Sequence, residues 1–155
     1  ELKPLSGGVP VALNERISVT PFAVPHRDEY TETVGYRIQG PERAAVYLPD
    51  IDKWEKWEAA GGRVEGMLEG VSRAYLDGTF YAEGEIPGRS MAEVPHPFIE
   101  ESLRRFAPLP AEERAKIRFL HLNHTNPALQ PGGAAKRAIE AAGLGIAEEL
   151  ETFGL

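Results

Sequence analysis

The sequence contains no cysteine. Disulfides and zinc–thiolate sites are therefore excluded, and any metal must be held by imidazole and carboxylate. Long apolar runs are missing too. No stretch approaches the roughly 18–20 residues that a membrane-spanning helix needs. Basic residues are in deficit, with 17 Lys and Arg against 24 Asp and Glu for a formal charge of −7. A surface of that sign repels phosphate, which argues against a nucleic-acid partner while leaving room for a basic patch inside a site. No serine stands in a Gly-x-Ser-x-Gly elbow, and neither Gly61-Gly62 nor Gly132-Gly133 leads into Gly-Lys-Ser/Thr. Nucleophile-elbow and phosphate-loop chemistry lose their usual signatures. The chain begins at Glu1 without Met and without a signal-like segment, so it reads as processed, trimmed or cut from something longer. The compartment stays open, with the cytoplasm as the expectation.

What is present fits a folded domain. Hydrophobic residues make up 42% of the 155, enough for a core, and residues 1–155 are expected to form a single domain. β-Rich strings predict strands over 17–24, 33–39, 44–48, 73–76 and 117–122. Helices are predicted over 53–60, 97–106, 108–116 and 134–142. Residues 1–10 and 84–97 read as loop, and 145–147 and 151–153 as a terminal strand pair. The 44–48 run (AAVYL) is continuously apolar and reads as a strand covered on both faces. A three-stranded antiparallel start followed by strands alternating with helices is an α/β pattern. Its apolar strands exceed what one sheet face can cover. Either the chain forms a homodimer or another segment completes a sandwich.

Three polar groups share one position, directly after a predicted strand: His26, Asp50 and His124. In layered α/β folds such positions converge on a common rim. Two imidazoles and a carboxylate suit zinc, with iron or manganese as alternatives. A lone His is more often a hydrogen-bonding residue than a ligand, so spacing alone is weak. Asp52 reads as the N-cap of the helix starting at Lys53, which leaves Asp50 as the ligand.

The string from Val24 to Ile38 (VPHRDEYTETVGYRI) resembles the His-bearing loop of metallo-β-lactamase-fold hydrolases of the ribonuclease Z type. Ala45–Asp50 (AVYLPD) resembles the strand that delivers the bridging Asp of that fold. LDGTF at 76–80 and FLHLNHTNP at 119–127 resemble the pyrroloquinoline quinone biosynthesis B group within it. The likeness runs in order over nearly the whole chain. It implies an αββα sandwich and a binuclear site, with two divalent metals in the complete molecule. His26 would bind the first metal, Asp50 would bridge, and His124 would bind the second. His96 would serve in acid–base chemistry and Asp77 would orient a ligand His. The H-x-H-x-D-H-like run that supplies the other ligands is absent, so the chain looks like the C-terminal half of the fold. A missing N-terminal half or a partner chain would complete it.

The expected function is a metal-dependent hydrolase, directing metal-bound hydroxide at a small-molecule ester, lactone or phosphodiester. One alternative is a non-catalytic or partner-completed binding subunit. Another, from the quinone-biosynthesis likeness, is an iron-dependent oxidation of a tyrosine-derived precursor. Trp54 and Trp57 read as a core-facing helix stripe rather than a ligand shelf. Asn123 and Asn126 either touch substrate or fix their loop. Arg27 and Arg37 flank the His26 loop, where they meet either an anionic substrate or Asp28, Glu29 or Glu32.

Overall fold

Alternating side chains lay down the sheet, and glycines and prolines divide it. A computed structural model describes residues 3–27, 29–88 and 90–155, leaving out the side chain of Ala92. Asp28, considered above as an ion-pair partner, lies outside the described residues. Seven strands form one sheet in strictly consecutive order: β1 (Val11–Ala12), β2 (Ser18–Val24), β3 (Thr33–Gln39), β4 (Ala44–Leu48), β5 (Arg73–Asp77), β6 (Ile117–Leu120) and β7 (Gly145–Ile146). The β1–β4 pairings are antiparallel, and those from β4 to β7 are parallel. Helices α1 (Trp54–Ala59), α2 (Val64–Leu68), α3 (Ile99–Phe106), α4 (Ala111–Arg114) and α5 (Ala134–Ala141) fill the parallel crossovers. Among the described residues no helix is long and apolar enough to cross a membrane.

Register sorts the two faces. Val46, Ala74 and Ile117 lie abreast, as do Leu48, Leu76 and Phe119, and all six are fully buried. They join Trp54, Trp57, Val64, Leu68, Ile99, Phe106 and Ile139 from the helices in one core. Successive right-handed crossovers that step the same way across a sheet place their helices on one side. The opposite face carries Tyr36, Tyr47, Tyr75 and Arg118 abreast. Tyr47 is 42% exposed but its same-face neighbour Ala45 is buried, so β4 is covered on one face throughout and on the other only at its start. Part of that second face is crossed by the C-terminal residues. Glu151 accepts a 2.7 Å hydrogen bond from the Tyr75 hydroxyl, and Phe153 lies under the guanidinium groups of Arg73 and Arg43.

Other expectations shift by physical cause. Residues 151–153 form no strand, and β7 instead pairs in parallel with β6. Helix α2 escapes a reading by periodicity because a five-residue segment holds little more than one turn. Strand β6 ends at Leu120, two residues early, because His121 adopts a left-handed backbone with φ 62°. The end of α1 is a Schellman closure. Gly61, at φ 88°, donates its N–H to the Glu58 carbonyl, and Gly62 donates to that of Trp57.

Candidate metal centre

Strand direction assembles the site. β2 runs parallel to β4 through the antiparallel β3, so β2, β4, β5 and β6 all finish at one rim of the sheet. His26 and Asp50 each lie two residues beyond their strand, Asp77 is the last residue of β5, and His121 follows β6 directly. His96 reaches the same rim from the long connection before α3. The Thr33 hydroxyl, at the start of β3, donates to the His26 carbonyl (2.8 Å) and holds the loop shut.

His26, Asp50 and His96 each bring a nitrogen or oxygen donor within 4.8 Å of the others. His26 Nε2 lies 3.2 Å and His96 Nδ1 3.4 Å from Asp50 Oδ1. Both distances fall within ion-pair range, but neither contact has hydrogen-bond geometry. Asp50 Oδ1 is consequently buried without a hydrogen-bond partner, although the Asp50 side chain as a whole is 33% exposed. An unsatisfied buried carboxylate oxygen costs free energy unless a cation or donor meets it. Two imidazoles facing that oxygen form a donor set that a divalent cation satisfies, so the residues present fit a metal.

Buried acids stand behind both imidazoles. His26 Nδ1 is 3.2 Å from Asp52 Oδ1, and Lys56 donates to Asp52 Oδ2 at 2.6 Å. Asp52 is therefore not the N-cap of α1. That position is Lys53, which makes no side-chain cap bond. His96 Nδ1 is 2.8 Å from Asp77 Oδ2. Asp77 is fully buried and saturated. It also accepts the Ile51 N–H, which follows Asp50 in the chain, and both the N–H and hydroxyl of Thr79. Burial opposes a charge on His96. The hydrogen bond and charge of Asp77, with Asp50 and Asp52 behind, outweigh it and hold the imidazole pKa above its ordinary value.

His124 stands exposed on the loop after β6, outside the three-residue cluster. His121, passed over in the sequence, stands at the rim. Its ring lies 6.3 Å from that of His96, and Nδ1 is 3.0 Å from the Thr79 hydroxyl. The Asp77–Thr79–His121 contacts thus join two strand ends. Asn126 is buried and fixes the loop backbone, donating to the Gly78 and Thr79 carbonyls and accepting from the Ala128 N–H. Asn123 donates to the Thr125 hydroxyl. Arg37 donates to the Glu69 and Gly70 carbonyls, while Arg27 lines a recess beside His96.

Residues 1–119 match the family model described as the beta-lactamase superfamily domain. The chain is similar to the coenzyme PQQ synthesis protein B of Methylobacterium nodulans, at 29% identity over 96% of this chain and 47% of the relative. The protein of the same name from Bradyrhizobium diazoefficiens is 30% identical over 82% of this chain and 46% of its own. The chain spans about half the length of the curated relatives it matches. Among solved structures it resembles Zn(2+)-bound PqqB from Methylobacterium extorquens, with a TM-score of 0.72 and 23% identity. That match covers 97% of this chain and 51% of the other, and the likeness is one of fold.

Proposed function

The chain belongs to the beta-lactamase superfamily domain family and has a metallo-β-lactamase-type fold, and from that premise we propose that it carries a metal-dependent hydrolytic site at His26, Asp50 and His96. The observation that carries this reading is Asp50 Oδ1, buried without a hydrogen bond and faced by two imidazole nitrogens. A bound divalent cation, zinc first among the candidates, would supply Lewis acidity and an ionised water near neutral pH. The residues do the rest. Asp52 fixes the tautomer of His26 from behind, whereas Asp77 holds His96 by Nδ1 and would leave Nε2 as the free donor of that ring. Asp77 also grips the Ile51 N–H, so one carboxylate sets both the His96 ring and the backbone beside Asp50. His121 stands at the same rim, its ring 6.3 Å from that of His96 and its Nδ1 held by the Thr79 hydroxyl. Two metals per complete site would need donors beyond these three, from a missing half or a partner chain.

Zinc titration of the purified chain against a competing chromophoric chelator tests the assignment. His26→Ala, Asp50→Asn and His96→Ala are each expected to weaken zinc by about tenfold or more. His124→Ala is expected to bind as the parent does. If the three site variants match the parent, the assignment is wrong.

A second reading has its own observation. Two histidines and one carboxylate with open positions are also the donor set of non-haem iron oxygenases. The relatives' role in coenzyme PQQ synthesis favours an oxidation on a small precursor. Iron in the freshly purified protein, with oxygen uptake, would select this reading, and zinc without oxygen uptake the first.

A further inference from the structure

Beside the metal centre lies a cavity of about 170 Å³, lined by Arg27, Phe80, Ile86, Val94, Pro95 and His96. Its walls are mixed, with Phe80, Ile86, Val94 and Pro95 on the apolar side and Arg27 and His96 on the polar side. Phe80 and Val94 are buried in a small cluster of their own with Met91 and Phe98, and Ile86 packs against it. Only two lining groups are polar, and neither is acidic. In a chain of net charge −7, a recess lined among the described residues by one guanidinium, one imidazole already held by Asp77, and no carboxylate is set for an anion.

Arg27 itself is unusual in two ways. Its backbone has φ 32°, a conformation that a side chain other than glycine's adopts at a cost. Among the described residues its guanidinium makes no ion pair and no hydrogen bond, although the nearby acids are engaged. Glu85 accepts the Tyr81 N–H and the Thr125 hydroxyl, and Glu83 accepts the Met91 N–H. Arg27 also follows His26 directly, so whatever it binds sits against the metal centre. The volume sets the size of that ligand, since an apolar cavity of about 150 Å³ accommodates one benzene. A guanidinium fork pairs with carboxylate or phosphate oxygens.

We propose that this recess is the substrate pocket of the same site and takes a small organic oxyanion, its carboxylate or phosphate head on Arg27 and an apolar body of about one ring against Phe80, Ile86 and Val94. The assignment rests on the reading of His26, Asp50 and His96 as the reacting centre. It places the bond to be attacked between Arg27 and His96.

Binding is read on the metal-free chain in chelator, by amide shift mapping with phenylacetate, phenyl phosphate, inorganic phosphate and phenethylamine as probes. Phenylacetate or phenyl phosphate should perturb the amides of residues 27, 80, 86, 94 and 96, and the stronger of the two identifies the head group. Phenethylamine should leave them unmoved. Inorganic phosphate should bind more weakly than phenyl phosphate, because it lacks the ring. Arg27→Gln should weaken the aromatic anions by about tenfold, and Arg27→Lys by less. Should Arg27→Gln fail to fold, the parent still decides: anion binding must weaken between about 20 and about 300 mM salt. Equal binding of phenethylamine, shifts away from the recess, or an unchanged Arg27→Gln would overturn the proposal. The zinc titration uses none of these probes, so the metal assignment and the pocket assignment can fail separately.

Discussion

At the scale of single residues, the site is organised by carboxylates rather than by histidines. Asp52 and Asp77 each immobilise one imidazole, and Asp50 is left with a buried oxygen that no described residue hydrogen-bonds. The Asp77–His96 contact predicts a pH dependence. The pKa of His96 is raised in the fold above an ordinary value near 6.5, so the folded state binds its proton more tightly than the unfolded state. That stability is fully present below about pH 6.5 and is lost as pH rises through the folded value. Urea titrations of the metal-free chain should show stability falling as pH rises above about 6.5, and His96→Gln should flatten the fall. An unchanged profile in His96→Gln would place the titrating group elsewhere. Zinc should act in the opposite sense, binding better as the His96 proton leaves. The sequence made His26 and Asp50 legible because each follows a strand whose end the alternation marks clearly. At β6 the apolar Leu122 prolongs the alternation beyond the true end at Leu120. The eye is carried past His121 to His124. Only the left-handed backbone at His121, which composition does not announce, ends the strand two residues earlier.

At the scale of elements, α1 fixes the rim by being closed tightly at its far end. Its Schellman turn brings Gly62 against the Trp57 indole, where an added Cβ would fall 2.0 Å from Nε1. Trp57 stacks on Phe22 and lies tilted against Trp54, and the Trp54 Nε1–H donates to the buried Ser102 hydroxyl of α3 at 3.0 Å. Gly62→Ala has no room without moving the indole, and is expected to cost about 1–3 kcal/mol in urea unfolding. A midpoint equal to the parent's would show that the turn can relax. The start of α1 is pinned as well: Lys53 pairs with Glu101 at 2.7 Å and sits over the Phe98 ring. The helix itself was legible from its tryptophan spacing and the glycines that follow. The role of Asp52 was not. An acid before a helix has the same letters whether it caps the helix or turns back to a histidine, and here the partner lies 26 residues earlier.

At the scale of the molecule, one sheet face is covered by helices and the other only in part. The α/β character and most of the strand positions could be read in advance, and so could the excess of apolar strand surface. What covers that surface is set by contacts that one chain's letters do not contain. Tyr47, 42% exposed on that face, is expected to pack against a second copy of this chain. Sedimentation of the isolated chain should show concentration-dependent association that Tyr47→Glu reduces, because a charge on that face has no partner when buried. A monomer at every concentration would limit the cover to a different chain.

The consecutive order of the seven strands has a consequence for how the molecule comes into being. No strand is inserted between two that are already paired, and none waits for a distant stretch to be made. The sheet grows at its open edge in the order in which a ribosome delivers it, so each pairing closes only the loop just synthesised. His26, Asp50 and Asp77 emerge early, in that order. The rim loop bearing His121 is laid beside them only when β6 docks, after the long connection that carries His96. Within this chain the His26, Asp50 and His96 cluster is complete once the connection bearing His96 is laid at the rim, after β4 and β5 have been made.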